Sequence, residues 1–110
     1  TIFTMSGGKN GLVEWYYEDG QLSMREYYKN GIKDGPFETY HENGQLKEKV
    51  NYKNGEAHGL WEKFHENGQL EVRLHFKDGK AHGFREEFDE NDILIGTEFW
   101  DNGEKIDLFE

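Results

Sequence analysis

Five histidines, at positions 41, 58, 65, 75 and 82, are the side chains of this sequence best suited to holding a metal. His41 and His65 occupy equivalent places 24 residues apart, as do His58 and His82. If such places lie two strands apart, they are separated by about 9–10 Å. Two imidazoles sharing a zinc ion must come much closer, because Zn–N is only about 2.0–2.1 Å. A pair such as His65 and His75 could approach, but no spacing demands it. The reading is no metal and no cofactor, with His58 and His82 supporting turns.

Four glutamates, Glu14, Glu38, Glu62 and Glu86, return at the same interval. One carboxylate in a special setting could serve as a general acid or base, whereas a ladder of four equal copies does not fit that role. A carboxylate on an apolar face needs hydrogen bonds or a counter-charge. The expected role is therefore structural, with each glutamate capping a preceding glycine turn or a neighbouring unit's backbone. Thr4, Ser6, Ser23, Thr39 and Thr97 form no nucleophile elbow, and no glycine loop is built to cradle phosphate. Without cysteine there is neither a thiolate metal site nor a disulfide framework. These residues do not predict an enzyme.

The interval itself is the stronger signal. A 24-residue unit repeats four times without insertion, at 11–34, 35–58, 59–82 and 83–106, with half-units at 1–10 and 107–110. Gly11, Gly35, Gly59 and Gly83 open the units; Tyr16, Tyr40, Phe64 and Phe88 recur, as do Leu22, Leu46, Leu70 and Leu94, and Tyr28, Tyr52, Phe76 and Trp100. A fixed period of this size marks a repeat array whose units bury apolar groups against their neighbours. Each unit reads as two short strands and two glycine turns, such as Glu66-Asn67-Gly68 and Lys77-Asp78-Gly79. The whole chain, 1–110, is then one all-β domain: a single-layer antiparallel meander of about ten strands.

Parity selects the turns. A three-residue loop at Glu66-Asn67-Gly68 places Phe64 opposite Leu70, which calls for a type I turn with a glycine in the left-handed region. The same geometry at Lys77-Asp78-Gly79 would keep Phe76 on that face. One face then carries Tyr16, Leu22, Tyr28, Tyr40, Leu46, Tyr52, Phe64, Leu70, Phe76, Phe88, Leu94 and Trp100, with Tyr40, Leu46, Tyr52, Phe64, Leu70 and Phe76 as the central core. In unit four Asp92 replaces the turn glycine and Ile93-Leu94-Ile95 form an apolar run, as a capping repeat does.

Net charge is −10, and a third of the residues are charged, with a mean hydropathy of −1.04. Aromatics reach 15% and lie on the repeat, which argues for a folded array over a disordered chain. Residues 83–106 hold only Arg85 and Lys105 against eight acids. Such a field disfavours nucleic acid and anionic membranes and favours a protein partner with a basic surface. Oligomeric state is not legible. The absence of cysteine points to the cytoplasm, although the start at Thr1 in mid-pattern leaves room for a removed N-terminal signal.

The His41-Glu42-Asn43-Gly44-Gln45-Leu46 and His65-Glu66-Asn67-Gly68-Gln69-Leu70 turns, with the close from Tyr52 to Gly59, resemble the MORN-repeat variant family over nearly the whole chain. That resemblance implies single-layer sheets of stacked hairpins. It also implies function in outline: many bacterial members form a YwqK-like group of antitoxins, and related eukaryotic repeats serve as scaffolds, some binding phosphoinositides. The expected function is a protein-binding module, an antitoxin or immunity protein that neutralises a toxic partner. The alternative is a scaffold segment of a larger MORN-type protein.

The face opposite the aromatic row is the expected contact surface. It varies between units and carries Val13, Trp15, Tyr17, Arg25, Tyr27, Phe37, His41, Lys49, Trp61, Lys63, His65, Arg73 and His75, rich in the Trp, Tyr and Arg that dominate interface hot spots. Cross-strand stiffening explains the same residues. The residues expected to touch a partner are Trp15, Phe37, His41, Trp61, His65 and Arg73 for affinity. Glu87, Glu90 and Asp92 would steer a basic protein towards the acidic end.

Overall fold

The computed structural model describes residues 2–5 and 10–107, the first of these stretches as backbone only. Alternating side chains and frequent turn glycines leave no room for a helix, and the described residues form strands and turns only. The strands are β1 (Ile2–Met5), β2 (Gly11–Tyr16), β3 (Leu22–Lys29), β4 (Ile32–Lys33), β5 (Gly35–Tyr40), β6 (Leu46–Lys53), β7 (Glu56–Phe64), β8 (Leu70–Lys77), β9 (Lys80–Ala81), β10 (Gly83–Phe88), β11 (Leu94–Asp101) and β12 (Glu104–Ile106). Ten run as an antiparallel meander in sequence order, with β4 and β9 completing hairpins on β3 and β8. The sheet measures 51 × 32 × 15 Å, the thickness of one layer.

The first turn of each unit is the expected one. Gly68 N–H donates to His65 O and His65 N–H to Gln69 O, while Phe64 faces Leu70. Gly68 has φ 90°, and Gly44 has φ 89°, the left-handed region that an L side chain enters only under strain.

Two expectations about the rest of the unit are corrected. The second turn is a two-residue loop: Lys77 faces Lys80, and Asp78 and Gly79 both have positive φ, 51° and 81°. This is a type I′ turn, whose twist suits flanking strands. Secondly, a β-bulge just after the first turn inserts one residue, Glu71 in unit three, so that Phe64 faces Leu70 but Lys63 faces Val72. A one-residue shift sends every later side chain to the opposite face. Tyr28, Tyr52, Phe76 and Trp100 therefore leave the row of Tyr16, Leu22, Tyr40, Leu46, Phe64, Leu70, Phe88 and Leu94. We call that row the leucine face and its opposite the tryptophan face.

The core is also displaced from its expected place. Tyr40, Leu46, Tyr52, Phe64, Leu70 and Phe76 are all half-buried, because nothing is stacked on either side of a single layer. The buried apolar residues are Val13, Val50, Val72 and Leu74, all on the tryptophan face. Phe37 lies opposite Val50 and Trp61 opposite Leu74. Large rings thus flank short side chains at the middle of the strands and exclude water from them. Burying each such side chain contributes about 1.5–3 kcal/mol.

Both margins of the sheet are stitched from unit to unit. At one margin Tyr17 Oη–H donates to Tyr40 O, and His41 and His65 reach Phe64 O and Phe88 O from Nε2 at 2.8 and 2.9 Å. A carbonyl only accepts, so Nε2 carries the proton in both rings. Asn43 and Asn67 donate to Glu66 O and Glu90 O. At the other margin Gly55, Gly79 and Gly103 N–H donate to Lys33, Ala57 and Ala81 O. Gly79 cannot be replaced there without movement, because a Cβ would stand 2.7 Å from Glu56 Oε2. Unit four breaks the pattern. Asp89 occupies the histidine position and accepts from Asn91 and Ile93 N–H within its own turn, while Asp92 adopts φ 66°. Ile93, Leu94 and Ile95 are exposed at its tip.

Candidate functional site

On the leucine face the repeated glutamates find cations and not the backbone groups expected from sequence. Register sets Glu14 opposite Arg25, Arg25 opposite Glu38, Glu38 opposite Lys49, Lys49 opposite Glu62, Glu62 opposite Arg73, and Arg73 opposite Glu86. Signs alternate along a line that crosses the sheet. Arg25 donates twice to Glu14, at 3.2 Å, and lies 4.0 Å from Glu38. Arg73 Nε–H donates to Glu86 at 2.8 Å and its guanidinium stands over the Phe88 ring. The row ends at Thr97, opposite Glu86. Arg25 and Arg73 are thereby paired, while Lys49 and Glu62 are neighbours in register only.

The tryptophan face has a different chemistry, set by what each unit places at equivalent positions. In unit one Glu26 is buried and accepts from Trp15 Nε1–H and Tyr28 Oη–H, with Lys33 Nζ 3.3 Å away. Burial, and next the bond to Glu26, raises the Tyr28 pKa above the usual tyrosine value. Lys33 also stands 5.0 Å from the centroids of both Phe37 and Tyr52, a cation held over two aromatic rings. The places of Glu26 are taken by Val50 and Leu74 in units two and three and by Glu98 in unit four. Lys105 Nζ lies 3.1 Å from Glu98, and its hydrogen bond lowers the Glu98 pKa. Charged ends thus bracket an apolar middle.

That middle is an open groove lined by Val50, Tyr52, Ala57, Trp61 and Phe76, with Glu48, Glu56, Asp78 and Lys80 about its rim. Trp61 stands edge-on to Phe76, centroids 6.4 Å apart at 90°, and its Nε1–H donates to Glu48 at 2.9 Å. The indole is therefore fixed in orientation while its ring is left half-exposed.

The residues expected from sequence to share one contact surface separate into three groups. Trp15, Phe37 and Trp61 do share the tryptophan face, and Glu87 lies on it too, opposite Val72. Arg73 lies on the leucine face within the charge row, as do Arg25 and Lys49, and Tyr27 and His75 share that face; the bulge that moved the aromatic row moved them as well. His41 and His65 are at the turn margin, engaged with the next unit's backbone. Glu90 and Asp92 sit in the unit-four turn, Glu90 O accepting from Asn67. His82 N–H donates to His75 O, and its ring lies 3.4 Å from Asp101. Among the described residues no three His, Asp or Glu side chains are grouped to hold a metal.

Sequence reasoning missed Glu26, Lys33, Glu48 and Phe76 as members of the tryptophan face. The available signal was variation at fixed phase: Glu26, Val50, Leu74 and Glu98 at one position, Lys33 and Ala57 at another.

A family model for the MORN repeat variant matches the chain three times, over residues 9–31, 33–54 and 57–78, more than half of its length. Unit four, with its altered turn, lies outside these matches. No curated protein and no solved structure matches the chain.

Proposed function

We propose, since this chain belongs to the MORN repeat variant family, that it is a protein-binding module whose tryptophan face engages a protein partner with a basic surface. MORN repeats are generally protein- or membrane-binding modules. The observation that carries the choice of a protein is the groove at Trp61: a rigidly held, half-exposed indole among apolar neighbours, with acids at the rim. Such an aromatic anchor in a concave surface is where binding energy concentrates. On the leucine face Arg25 and Arg73 are already committed to Glu14 and Glu86. The net charge of −10 supports a basic protein over an anionic bilayer. The finer reading is that the module is an antitoxin or immunity protein, a cytoplasmic neutraliser of a toxic protein, with no enzymatic activity of its own. Co-expression with a growth-arresting product of the adjacent gene tests it. Restored growth and a purified complex are expected, and arrest that persists at full expression of the folded chain removes the antitoxin reading.

A second reading, a scaffold segment, is favoured by the stitching at both margins, which repeats from unit to unit and could carry further units. It expects binding without any relief of toxicity. In either case Glu87, Glu90 and Asp92 are the steering charges. Reversing all three to lysine should slow association several-fold and flatten its salt dependence. Loss of Trp61 should act on dissociation.

A further inference from the structure

We propose that the groove at Trp61 is a receptor for a lysine side chain of the partner protein, an inference that rests on the protein-binding reading and makes it specific. The chain itself supplies the template. In unit one Lys33 Nζ stands over Phe37 and Tyr52, 5.0 Å from each centroid, and the two rings meet edge-on with centroids 5.7 Å apart at 74°. Advancing by one repeat turns Phe37 into Trp61, Tyr52 into Phe76 and Lys33 into Ala57. The edge-on ring pair is kept, at 6.4 Å and 90°. The cation is not: the Ala57 side chain ends at Cβ, in the lining of the groove.

What remains is a cage improved for a cation and lacking its own. Tryptophan has the most favourable face of the three aromatic residues for a cation. The buried acid of unit one is replaced by Val50, but Glu48 enters through its bond to the Trp61 indole, and Glu56 and Asp78 stand at the rim. Three carboxylates thus face a site whose only lining cation among the described residues is Lys80. The stem of Lys80 runs beside the next hairpin, where a Cβ on Gly103 would stand 3.6 Å from it. A lysine fits better than an apolar anchor, because its methylene stem covers Val50 and Ala57 while its ammonium reaches the rings and the rim acids.

The experiment uses the whole chain, labelled with ¹⁵N, and a glycine-flanked peptide with one central lysine. The Trp61 indole and the Ala57 and Gly79 amides should shift towards saturation, with a Kd of about 30 mM or weaker, as expected of a single cation–aromatic contact. The same peptide carrying Nε-acetyl-lysine should leave them in place. Ala57→Lys should fill the cage from within, weakening peptide binding at least about tenfold and moving the Trp61 indole signal towards its bound position. Lys33→Ala should open a second site, read at Phe37 and Tyr52. Equal shifts from the acetylated peptide, no saturable shift at Trp61, or full peptide binding by folded Ala57→Lys would each overturn the assignment. If a protein partner is captured and Ala57→Lys leaves its affinity within twofold, the lysine receptor fails while the protein-binding reading stands. If the peptide binds as described and no partner is captured by either the wild type or Ala57→Lys, it is the protein-binding reading that fails.

Discussion

Replacing Glu26 by valine tests whether the tryptophan face is wired as described, because the chain already places Val50 at the equivalent position one unit later. Glu26 is buried and receives Trp15 Nε1–H at 3.2 Å, Tyr28 Oη–H at 3.0 Å and the Lys33 ammonium at 3.3 Å. Hydrogen bonds to a charged group contribute about 1.5–3 kcal/mol net each, the lower end applying where the donors can turn to water. All three donors are half-buried and regain part of that from water. A buried valine returns about 1–1.5 kcal/mol. The net cost of Glu26→Val should be about 2–3 kcal/mol, a fall of about 10–20 °C in Tm for a domain of this size. Urea denaturation measures the loss, and a value below about 0.5 kcal/mol would refute the reasoning.

Three further outcomes follow from the same geometry. Gly68→Ala should destabilise by about 1 kcal/mol or more and Gln69→Ala by much less, since only position 68 has a left-handed backbone; equal losses in urea melts would contradict the turn. Leu74→Ala, at a buried position, should cost about 2–4 kcal/mol and more than Leu70→Ala at a half-buried one, and the reverse order would return the core to the leucine face. Tyr16 is raised in pKa first by its bond to Glu14, and Tyr28 and Tyr40 first by burial. Their stabilising contribution is complete below the unfolded tyrosine value of about 10 and disappears as pH rises through their folded values. Absorbance titration should find these tyrosines ionising late, together with a loss of stability above about pH 10.

Architecture was legible because the period, the glycines and the Phe64–Leu70 parity all depend on local chemistry. The faces were legible only as far as the first turn. The residue that flips them, Glu71 in unit three and Ser23 or Lys47 in its neighbours, differs in each unit and carries no bulge signature of its own. Asp78-Gly79 was readable as a two-residue turn, and the assumption that both turns of a unit match concealed it. Trp15, Phe37 and Trp61 were placed together correctly because they precede the bulge. Arg73 follows it and was misplaced. The stitching by His41 and His65 was not legible, because a repeating polar ring gives no sign that its acceptor is a carbonyl 23 residues away.

The alternating charges of the leucine face act as an address as well as an adhesive. A two-residue slip of β3 would carry Arg25 away from both Glu14 and Glu38 and set it against Leu12 or Tyr16 and Pro36 or Tyr40. The alternation of apolar and polar residues alone would tolerate that slip, so the charges reinforce the alignment that the turns set. Units one to three each present an acid on the first strand and a base on the second, which makes them interchangeable modules. Unit four presents Glu86 and then Thr97 and cannot pass the alternation on. Duplicating unit three should therefore lengthen the array without loss of cooperativity, whereas a second copy of unit four in the interior should divide it into two independently melting halves.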